Sequence, residues 1–337
     1  MVLLANPKYA AMVMDARSGE ILHSENANKR LHPASLTKMM TLYVVFQAVE
    51  NGEISLDKKV KISRHAASEP PSKLGLRPGQ KVRLRYLIRA AAVKSANDAA
   101  TALGEAIEGS EAAFARRMNR TAKAMGMNRT TFKNAHGLTE SGHLSTARDM
   151  TILGRHLFYD FPDYYHLFAR KTAAAGSKKV RNTNRRFLSN YRGADGIKTG
   201  YTRAAGYNLV ASANRNGERI ITTVFGGRST TTRNAQVAKL MNLGFKKAPR
   251  NVKLQKPKPP SYIAIARAYP VINLSKSLRP KIRPENNTDN NLIAVNEFKS
   301  DILSALKLAQ AEDNSPENPS EKYLSLIHIS EPTRRYE

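Results

Sequence analysis

Hydrophobic residues change their spacing twice along this chain, and the order of those changes limits the possible folds. Short apolar runs at residues 9–14 and 20–23 flank a turn at 16–19, which predicts a β-hairpin. Helical spacing dominates residues 35–158, and from residue 195 the pattern returns to short runs typical of strands. Strands at both ends with helices between them predict an α+β fold. We expect the N-terminal hairpin to join the C-terminal strands in one antiparallel sheet.

Turn residues and prolines separate the individual elements. Apolar residues at helical spacing predict a helix that begins near Ser35 and others at residues 84–93, 98–107, 112–125 and 147–158. Strands are predicted at residues 196–201, 207–213 and 219–225, and a final helix at 233–245. These elements together define one folded domain over residues 8–248.

The composition changes beyond about residue 250. Residues 253–260 form a basic, proline-rich segment that we expect to be an extended linker. An apolar pattern at residues 295–311 predicts a short helix, either solvated or docked on a partner. The end of the chain resembles the translation of a common sequencing adapter, so we expect the native reading frame to be lost near Tyr323. The expected divisions are a residual leader at 1–7, the folded domain at 8–248, a linker and partly disordered tail at 249–323, and an adapter-derived end at 324–337.

Charge narrows the classes of partner. The formal net charge is +28, whereas residues 251–337 hold 13 basic and 10 acidic side chains, so +25 of the excess lies in residues 1–250. A basic folded surface attracts polyanions, which include nucleic acid, anionic lipid and acidic cell-wall polymers. Charge alone does not choose among them.

Cysteine and hydropathy exclude other classes. The chain has no cysteine, which excludes disulfide frameworks, thiol nucleophiles and cysteine-ligated metal sites. No apolar run approaches the roughly 18 residues of a membrane span. The seven residues before the hairpin are too short to be a complete export signal.

The first candidate for chemistry is Ser35, which forms a Ser-x-x-Lys pattern with Lys38 at a predicted helix start. A spacing of three places the lysine amine over the same helix face as the serine hydroxyl, close enough to take its proton. The helix N-terminus adds N–H groups and positive potential that favour an alkoxide. By itself the pattern is weak, because residues 55–58 and 304–307 match it too.

Two further motifs follow along the chain. Ser95 and Asn97 form a Ser-x-Asn pattern between helices, where a hydroxyl could relay a proton and a carboxamide could hold a substrate amide. Lys198, Thr199 and Gly200 lie on a predicted strand and offer a positive charge, a hydroxyl donor and room for a substrate backbone. In isolation, the first would be read as a helix-capping turn and the second as an ordinary strand end.

The three motifs together are much more specific than any one of them. In this order, on a helix, a loop and a strand, they are typical of penicillin-binding proteins and class A β-lactamases. Longer segments resemble one family, the low-molecular-mass penicillin-binding proteins of the serine-type D-alanyl-D-alanine carboxypeptidase family. These segments are residues 33–41, 134–138, 145–150 and 195–212. The resemblance covers residues 8–248 and implies a β-lactamase/transpeptidase-like fold with a helical subdomain inserted.

The resemblance also implies a mechanism. Ser35 would attack the carbonyl between the two terminal D-alanines of a peptidoglycan stem pentapeptide, with neutral Lys38 as the general base. Ser95 would pass a proton towards the leaving amine. Water would then release the acyl-enzyme, whereas β-lactams would remain covalently bound to Ser35 because their acyl-enzyme hydrolyses slowly.

Other residues would bind the substrate. The implied set is Asn97 for Lys38 and a substrate amide, Lys198, Thr199 and Gly200 for the terminal carboxylate and backbone, Tyr201 and Ser35 for the oxyanion through their N–H groups, and Arg228 as a further carboxylate ligand. No cofactor and no metal are expected. His136 and His143 are expected to be structural, because none of the histidines is four residues from another on one helix. The resemblance implies a periplasmic or extracytoplasmic location, with possible membrane or cell-wall attachment through the C-terminus.

Three other functions can be compared with the sequence, and only the second of them is left open by it. A class A β-lactamase needs a glutamate that activates the deacylating water, and no glutamate occurs between Ser141 and Gly217. A D,D-endopeptidase that cleaves peptidoglycan cross-links would carry the same motifs, so the sequence leaves it open. A non-enzymatic polyanion-binding protein lacks support, because there is no aromatic-interleaved basic stretch and no Gly-rich phosphate loop. Nucleic acid is therefore not an expected partner.

Overall fold

The computed structural model describes residues 8–261, and its longer elements follow the order that the hydrophobic pattern predicts. The strands are β1 (Ala10–Asp15), β2 (Ile21–Glu25), β3 (Lys59–Lys61), β4 (Lys81–Arg83), β5 (Thr172–Ala175), β6 (Lys178–Arg181), β7 (Ala194–Thr202), β8 (Gly206–Arg215) and β9 (Glu218–Gly227). The helices are α1 (Thr37–Glu50), α2 (Arg64–Ser68), α3 (Leu84–Arg89), α4 (Asn97–Glu108), α5 (Glu111–Ala124), α6 (Ala147–Asp160), α7 (Pro162–Ala169), α8 (Arg185–Asn190) and α9 (Thr230–Lys247).

One antiparallel sheet organises these elements. Its five strands lie in the order β2-β1-β9-β8-β7, so the N-terminal hairpin pairs with the last strand of the chain. Met12 of β1 lies opposite Thr223 of β9, and Lys198 of β7 lies opposite Val210 of β8. The predicted union of the N-terminal hairpin with the C-terminal strands is confirmed, and β7 becomes an edge strand that borders the helices.

The two faces of the sheet bury different helices because side chains alternate along each strand. On β1, Ala11 and Val13 pack with α9 residues such as Met241, whereas Met12 faces a larger core on the other side. That larger core contains α1 and α6 together with the helices inserted between the hairpin and β7. The sheet thus has helices on both faces, with the thicker helical layer on one of them.

Helix α1 runs through the middle of the thicker layer. All of its residues except the last two are buried, and it contacts α4, α5 and α6. A helix that is buried on every side is stable only when neighbours surround it. The turn at its N-terminus, Ala34–Leu36, contacts strands β7 and β8 as well as α1.

Several short elements were not anticipated from the sequence. They are the small hairpins β3–β4 and β5–β6 and the helices α2, α7 and α8. Three- and four-residue strands carry too few alternations to show a period, and residues 172–181 are largely alanine and basic residues. The helix predicted at 84–93 also differs, since α3 ends at Arg89 and a wider π-helical turn, Ala90–Lys94, leads into Ser95.

Some predictions concern parts of the chain outside the described residues. These are the leader at 1–7, the helix at 295–311 and the adapter-like end at 324–337. Within residues 8–261, no helix is both long enough and apolar enough to cross a membrane.

Candidate active site

Ser35 and Lys38 lie at the entrance of α1, and their side chains meet. Lys38 is fully buried, and its Nζ lies 3.1 Å from Ser35 Oγ, 2.7 Å from Asn97 Oδ1 and 2.7 Å from the backbone oxygen of His136. Asn97 is oriented by its own Nδ2, which donates to the Pro70 carbonyl at 2.8 Å, so its oxygen must face the lysine.

These contacts specify what a neutral Lys38 can do. A neutral amine has two N–H donors and one lone pair, and both carbonyl partners can only accept. The two donors therefore go to Asn97 and His136, and the lone pair is left for the Ser35 hydroxyl. This is the geometry that a general base needs to take the serine proton.

The surroundings also favour the neutral amine. Burial lowers the pKa of Lys38 well below its ordinary value, and the nearby charge of Lys198 lowers it further. The carboxylates of Glu69 and Asp98 act in the opposite direction but more weakly.

Ser95 and Lys198 form a second pair on the other side of the site. Ser95 ends the π-helical turn with a left-handed backbone (φ +64°), and its Oγ accepts a hydrogen bond from Lys198 Nζ at 2.8 Å. Burial lowers the pKa of Lys198 to about 7, and the charge of Arg233 adds to the shift. Thr199 donates its hydroxyl to Thr183 at 2.7 Å, which sets its orientation at the cavity wall.

Strand β7 can approach Ser35 this closely only because residue 200 is glycine. A Cβ at Gly200 would lie 2.8 Å from the Pro33 carbonyl oxygen and 3.1 Å from the Ser35 nitrogen. The sequence predicts that this glycine makes room for a substrate backbone. The structure shows that part of that room is occupied by the turn Ala34–Leu36, which carries the candidate nucleophile Ser35 and which we call the nucleophile turn. Asn208 links β8 to the segment before Ser35, since its Nδ2 donates to the backbone oxygens of His32 and Pro33.

The three motifs line one cavity of about 350 Å³. Of the residues predicted from the sequence, its lining includes Ser35, Ser95, Asn97, Thr199, Gly200 and Tyr201. Lys38 and Lys198 lie behind this surface, almost without exposure, and each of them contacts a serine that lines the cavity.

Arg228 is not brought into this lining. It is exposed, whereas Arg233 in the first turn of α9 is buried and lines the cavity instead. Arg233 donates to the backbone oxygen of Asn208 and to Asn234, and burial lowers its pKa only to about 10, so it remains a cation at neutral pH. The sequence analysis missed this arginine because it lies outside the three motifs, and a buried cation at a helix start has no local pattern.

A network of acidic and imidazole groups supports the far side of Lys38. Glu111 accepts a hydrogen bond from the Ala135 nitrogen at 3.0 Å, and Glu69 lies 3.2 Å from Nε2 of His136. The Leu138 nitrogen donates to Nδ1 of His136, so the neutral ring carries its proton on Nε2 and donates to Glu69. The network thereby holds the carbonyl oxygen of His136 against Lys38.

One group in the described region could hold a metal ion. Donor atoms of His65, Glu69 and Glu111 lie within 4.8 Å of one another. The hydrogen bond of His65 to Glu111 raises the pKa of its imidazole, so a protonated His65 can supply positive charge there without a metal. The sequence analysis missed this group because His65 and Glu111 are distant in sequence.

Known proteins match this chain both in sequence and in structure. The profile of the D-alanyl-D-alanine carboxypeptidase family matches residues 7–229. The D-alanyl-D-alanine carboxypeptidase DacF of Bacillus subtilis is 40% identical over 249 residues, and DacC of Escherichia coli is 40% identical over 243. These matches cover 72% and 70% of this chain but only 63% and 61% of the two relatives.

Solved structures agree with the sequence matches. The D-alanyl-D-alanine carboxypeptidase DacD from Francisella tularensis has a TM-score of 0.67 and 35% identity over 72% of this chain and 70% of its own. Penicillin-binding protein D2 from Listeria monocytogenes, in its ampicillin-bound form, has a TM-score of 0.65 and 36% identity, covering 73% of this chain and 98% of its own. The expected β-lactamase/transpeptidase-like fold is confirmed, and the chain belongs to the D-alanyl-D-alanine carboxypeptidase family.

Proposed function

We propose that this chain is a serine-type D-alanyl-D-alanine carboxypeptidase that removes the terminal D-alanine from peptidoglycan stem pentapeptides. The contact geometry of Lys38 carries the proposal. Its two N–H donors are taken by the carbonyl oxygens of Asn97 and His136, which leaves its lone pair at 3.1 Å from the Ser35 hydroxyl. A buried neutral amine with these contacts can act as a general base for the Ser35 hydroxyl alone.

Acylation follows from this arrangement. Lys38 takes the proton from Ser35 as Oγ forms a bond to the carbonyl carbon between the two D-alanines. The carbonyl oxygen becomes an oxyanion, which the backbone N–H groups of Ser35 and Tyr201 stabilise. As the C–N bond breaks, the proton held by Lys38 reaches the nitrogen of the departing D-alanine with the Ser95 hydroxyl as a relay. The shortened peptide stays attached to Ser35 as an ester.

Deacylation uses the same groups with water in place of D-alanine. Lys38 is again neutral after the proton has left, so it can accept a proton from water as the water oxygen attacks the ester carbon. The bond to Ser35 Oγ breaks, the proton returns to that oxygen, and a peptide with a new carboxylate leaves.

Recognition of the terminal carboxylate is assigned to the cationic end of the cavity. Lys198 supplies the charge there, and the Thr199 hydroxyl would turn from Thr183 to donate to the carboxylate. Gly200 leaves the strand edge without a side chain. We assign the second cation to Arg233, because it lines the cavity and Arg228 does not. Asn97 is assigned both to Lys38 and to an amide of the acyl side of the substrate.

The same site accounts for binding of β-lactams. The relative from Listeria monocytogenes has been solved with ampicillin and with cefotaxime bound, at 36% identity to this chain. We infer that a β-lactam acylates Ser35 and is released slowly. A substrate in the cell wall requires the enzyme to act outside the cytoplasmic membrane, in the periplasm or another extracytoplasmic compartment.

A fluorescent penicillin tests the nucleophile directly. Ser35→Ala should abolish covalent labelling. Ser55→Ala is the matched control, because Ser55 also begins a Ser-x-x-Lys pattern but is exposed, and it should label like the unchanged protein. Labelling that survives Ser35→Ala would overturn the assignment.

A second assay tests the reaction. Incubation with a stem pentapeptide should release free D-alanine at a rate that Ser35→Ala abolishes. If only cross-linked peptide dimers are cleaved, the chain is a D,D-endopeptidase and the carboxypeptidase assignment is wrong.

A further inference from the structure

A strongly basic groove adjoins the active-site cavity. It encloses about 700 Å³ and shares Ser72 and Thr183 with the cavity that contains Ser35. Its lining includes six cationic side chains: Lys73, Lys94, Lys178, Lys179, Arg181 and Arg185. Among the described residues, this lining includes no carboxylate. We call this feature the basic groove.

Within residues 8–261, no carboxylate pairs with the positive charge of the basic groove. Among residues 8–261, none of its six cations lies in an ion pair, although arginines elsewhere do pair, such as Arg85 with Asp57 and Arg219 with Asp195. Lys178 donates to the Leu74 carbonyl at 2.8 Å, which is a neutral partner. Like charges that share a concave surface raise the local potential and attract anions.

Local structure fixes where this charge points. Lys179 and Arg181 are two residues apart on β6, so they share one face of the strand, opposite the buried Val180. Lys94 directly precedes Ser95, and its backbone oxygen accepts a hydrogen bond from Ser72 Oγ at 3.3 Å. The groove is therefore built on the same π-helical turn that positions Ser95.

The groove borders the acyl side of the site. The backbone nitrogen of Asn97 donates to the Ser72 oxygen at 2.7 Å, so the residue that we assign to the acyl part of the substrate is bonded to the groove wall. We propose that the basic groove binds carboxylates carried by the peptide substrate upstream of the bond that Ser35 attacks. This inference rests on the proposed function and names the substrate class that the site prefers, an anionic acyl-donor peptide.

Matched peptides test the preference. Each ends in D-alanyl-D-alanine and carries glutamate, or glutamine as the neutral control, at the first, second or third position before that dipeptide. Exposed charge pairs are individually weak, but several cations act together here. At low ionic strength we expect kcat/KM to favour glutamate over glutamine about three- to tenfold at one or more positions. About 0.5 M salt should reduce that ratio towards one, because exposed charges are screened.

Charge-neutralising variants locate the effect. Lys179→Gln combined with Arg181→Gln should lower the glutamate-to-glutamine ratio towards one. Lys246→Gln with Lys247→Gln is the control, because these residues lie at the end of α9, outside the groove lining, and carry the same charge change. Fluorescent-penicillin labelling of each variant verifies that its active site is folded.

The outcomes separate this inference from the proposed function. Turnover of the glutamine peptides without any glutamate preference would overturn the basic groove as a subsite and leave the carboxypeptidase activity standing. A preference that the double groove variant retains, with labelling intact, would also overturn it. Failure of every peptide to release D-alanine would instead overturn the proposed function on which the inference rests.

Discussion

At the level of single residues, the candidate active site contains two buried lysines whose pKa values are lowered. Burial is the larger cause for both, and each depends on a different second charge, Lys198 for Lys38 and Arg233 for Lys198. The roles in our proposal require opposite states, a neutral Lys38 as base and a cationic Lys198 as ligand. The proposed activity therefore needs a pH high enough for Lys38 to lose its proton and low enough for Lys198 to keep its own.

A bell-shaped pH profile follows. As the pH rises, Lys38 loses its proton and kcat/KM for D-alanine release should increase. Above about pH 7, free Lys198 loses its proton and binding of the carboxylate weakens, so kcat/KM should fall. Lys198→Arg should move the alkaline limb to higher pH, because a guanidinium keeps its charge. A profile that continues to rise to pH 9.5, or that Lys198→Arg leaves in place, would contradict these roles.

Contacts of single residues could be predicted from the sequence where residues that are close along the chain are also close in space. Ser35 and Lys38 are neighbours on one helical turn, so their contact could be anticipated. Arg233 could not be anticipated, because its place in the cavity depends on how α9 packs on β8. The sequence analysis chose Arg228, which lies five positions earlier, because a short segment around it matches the family's pattern.

At the level of elements, the active site is a junction between segments that are distant in sequence. The segment at residues 134–138 contacts the nucleophile turn so closely that only glycine fits at position 137. Gly137 has a left-handed backbone (φ +89°), and a Cβ there would lie 1.9 Å from the Ala34 oxygen. Its nitrogen donates to Asn134 at 2.7 Å, which holds the segment in this tight conformation.

Gly137→Ala should therefore displace the nucleophile turn. We expect it to lower the free energy of unfolding by at least about 2 kcal/mol more than the control, from backbone overlap in addition to strain. We also expect it to slow penicillin labelling strongly. Gly109→Ala is the matched control, because Gly109 is also left-handed (φ +76°) but has no atom within 4 Å of the added Cβ. Thermal unfolding and labelling rates of the two variants provide the comparison, and equal effects would refute the packing argument.

The sequence predicts the long helices and strands correctly, but it does not predict the short ones. Long runs such as α1 and β8 show their period clearly because many residues face a core on one side or on all sides. The hairpins β3–β4 and β5–β6 are formed by tertiary contacts, and each strand is too short to show a pattern. The β5–β6 hairpin contributes much of the basic groove, so the sequence analysis could not place that charge.

At the scale of the whole molecule, the folded region extends past the expected boundary at residue 248. Arg17 in the β1–β2 turn donates to the backbone oxygen of Pro249 at 2.7 Å, and the Gln255 nitrogen donates to the Arg17 oxygen at 2.8 Å. Arg155 on α6 also donates to the Gln255 oxygen. The start of the proline-rich segment therefore packs on the N-terminal hairpin.

Truncation tests this boundary. A fragment that ends at residue 261 should unfold cooperatively and label with penicillin. A fragment that ends at residue 248 loses these hydrogen bonds, which together contribute about 2 kcal/mol. Its Tm should be lower by about 4–8 °C for a domain of this size. Equal Tm values would mean that residues 249–255 do not stabilise the domain.

The sequence by itself determined the fold class and the family, and it identified the candidate reactive groups. Hydrophobic period and local spacing carry that information, because burial on one face and contact within one helical turn are encoded by neighbours along the chain. Only the tertiary structure decided that Lys38 contacts both Ser35 and Asn97, that Arg233 lines the cavity and that six cations form one groove. Each of these features depends on side chains from distant segments coming together in a buried or concave site. The hydrophobic periodicity of the sequence reports only local burial, so it does not predict such contacts.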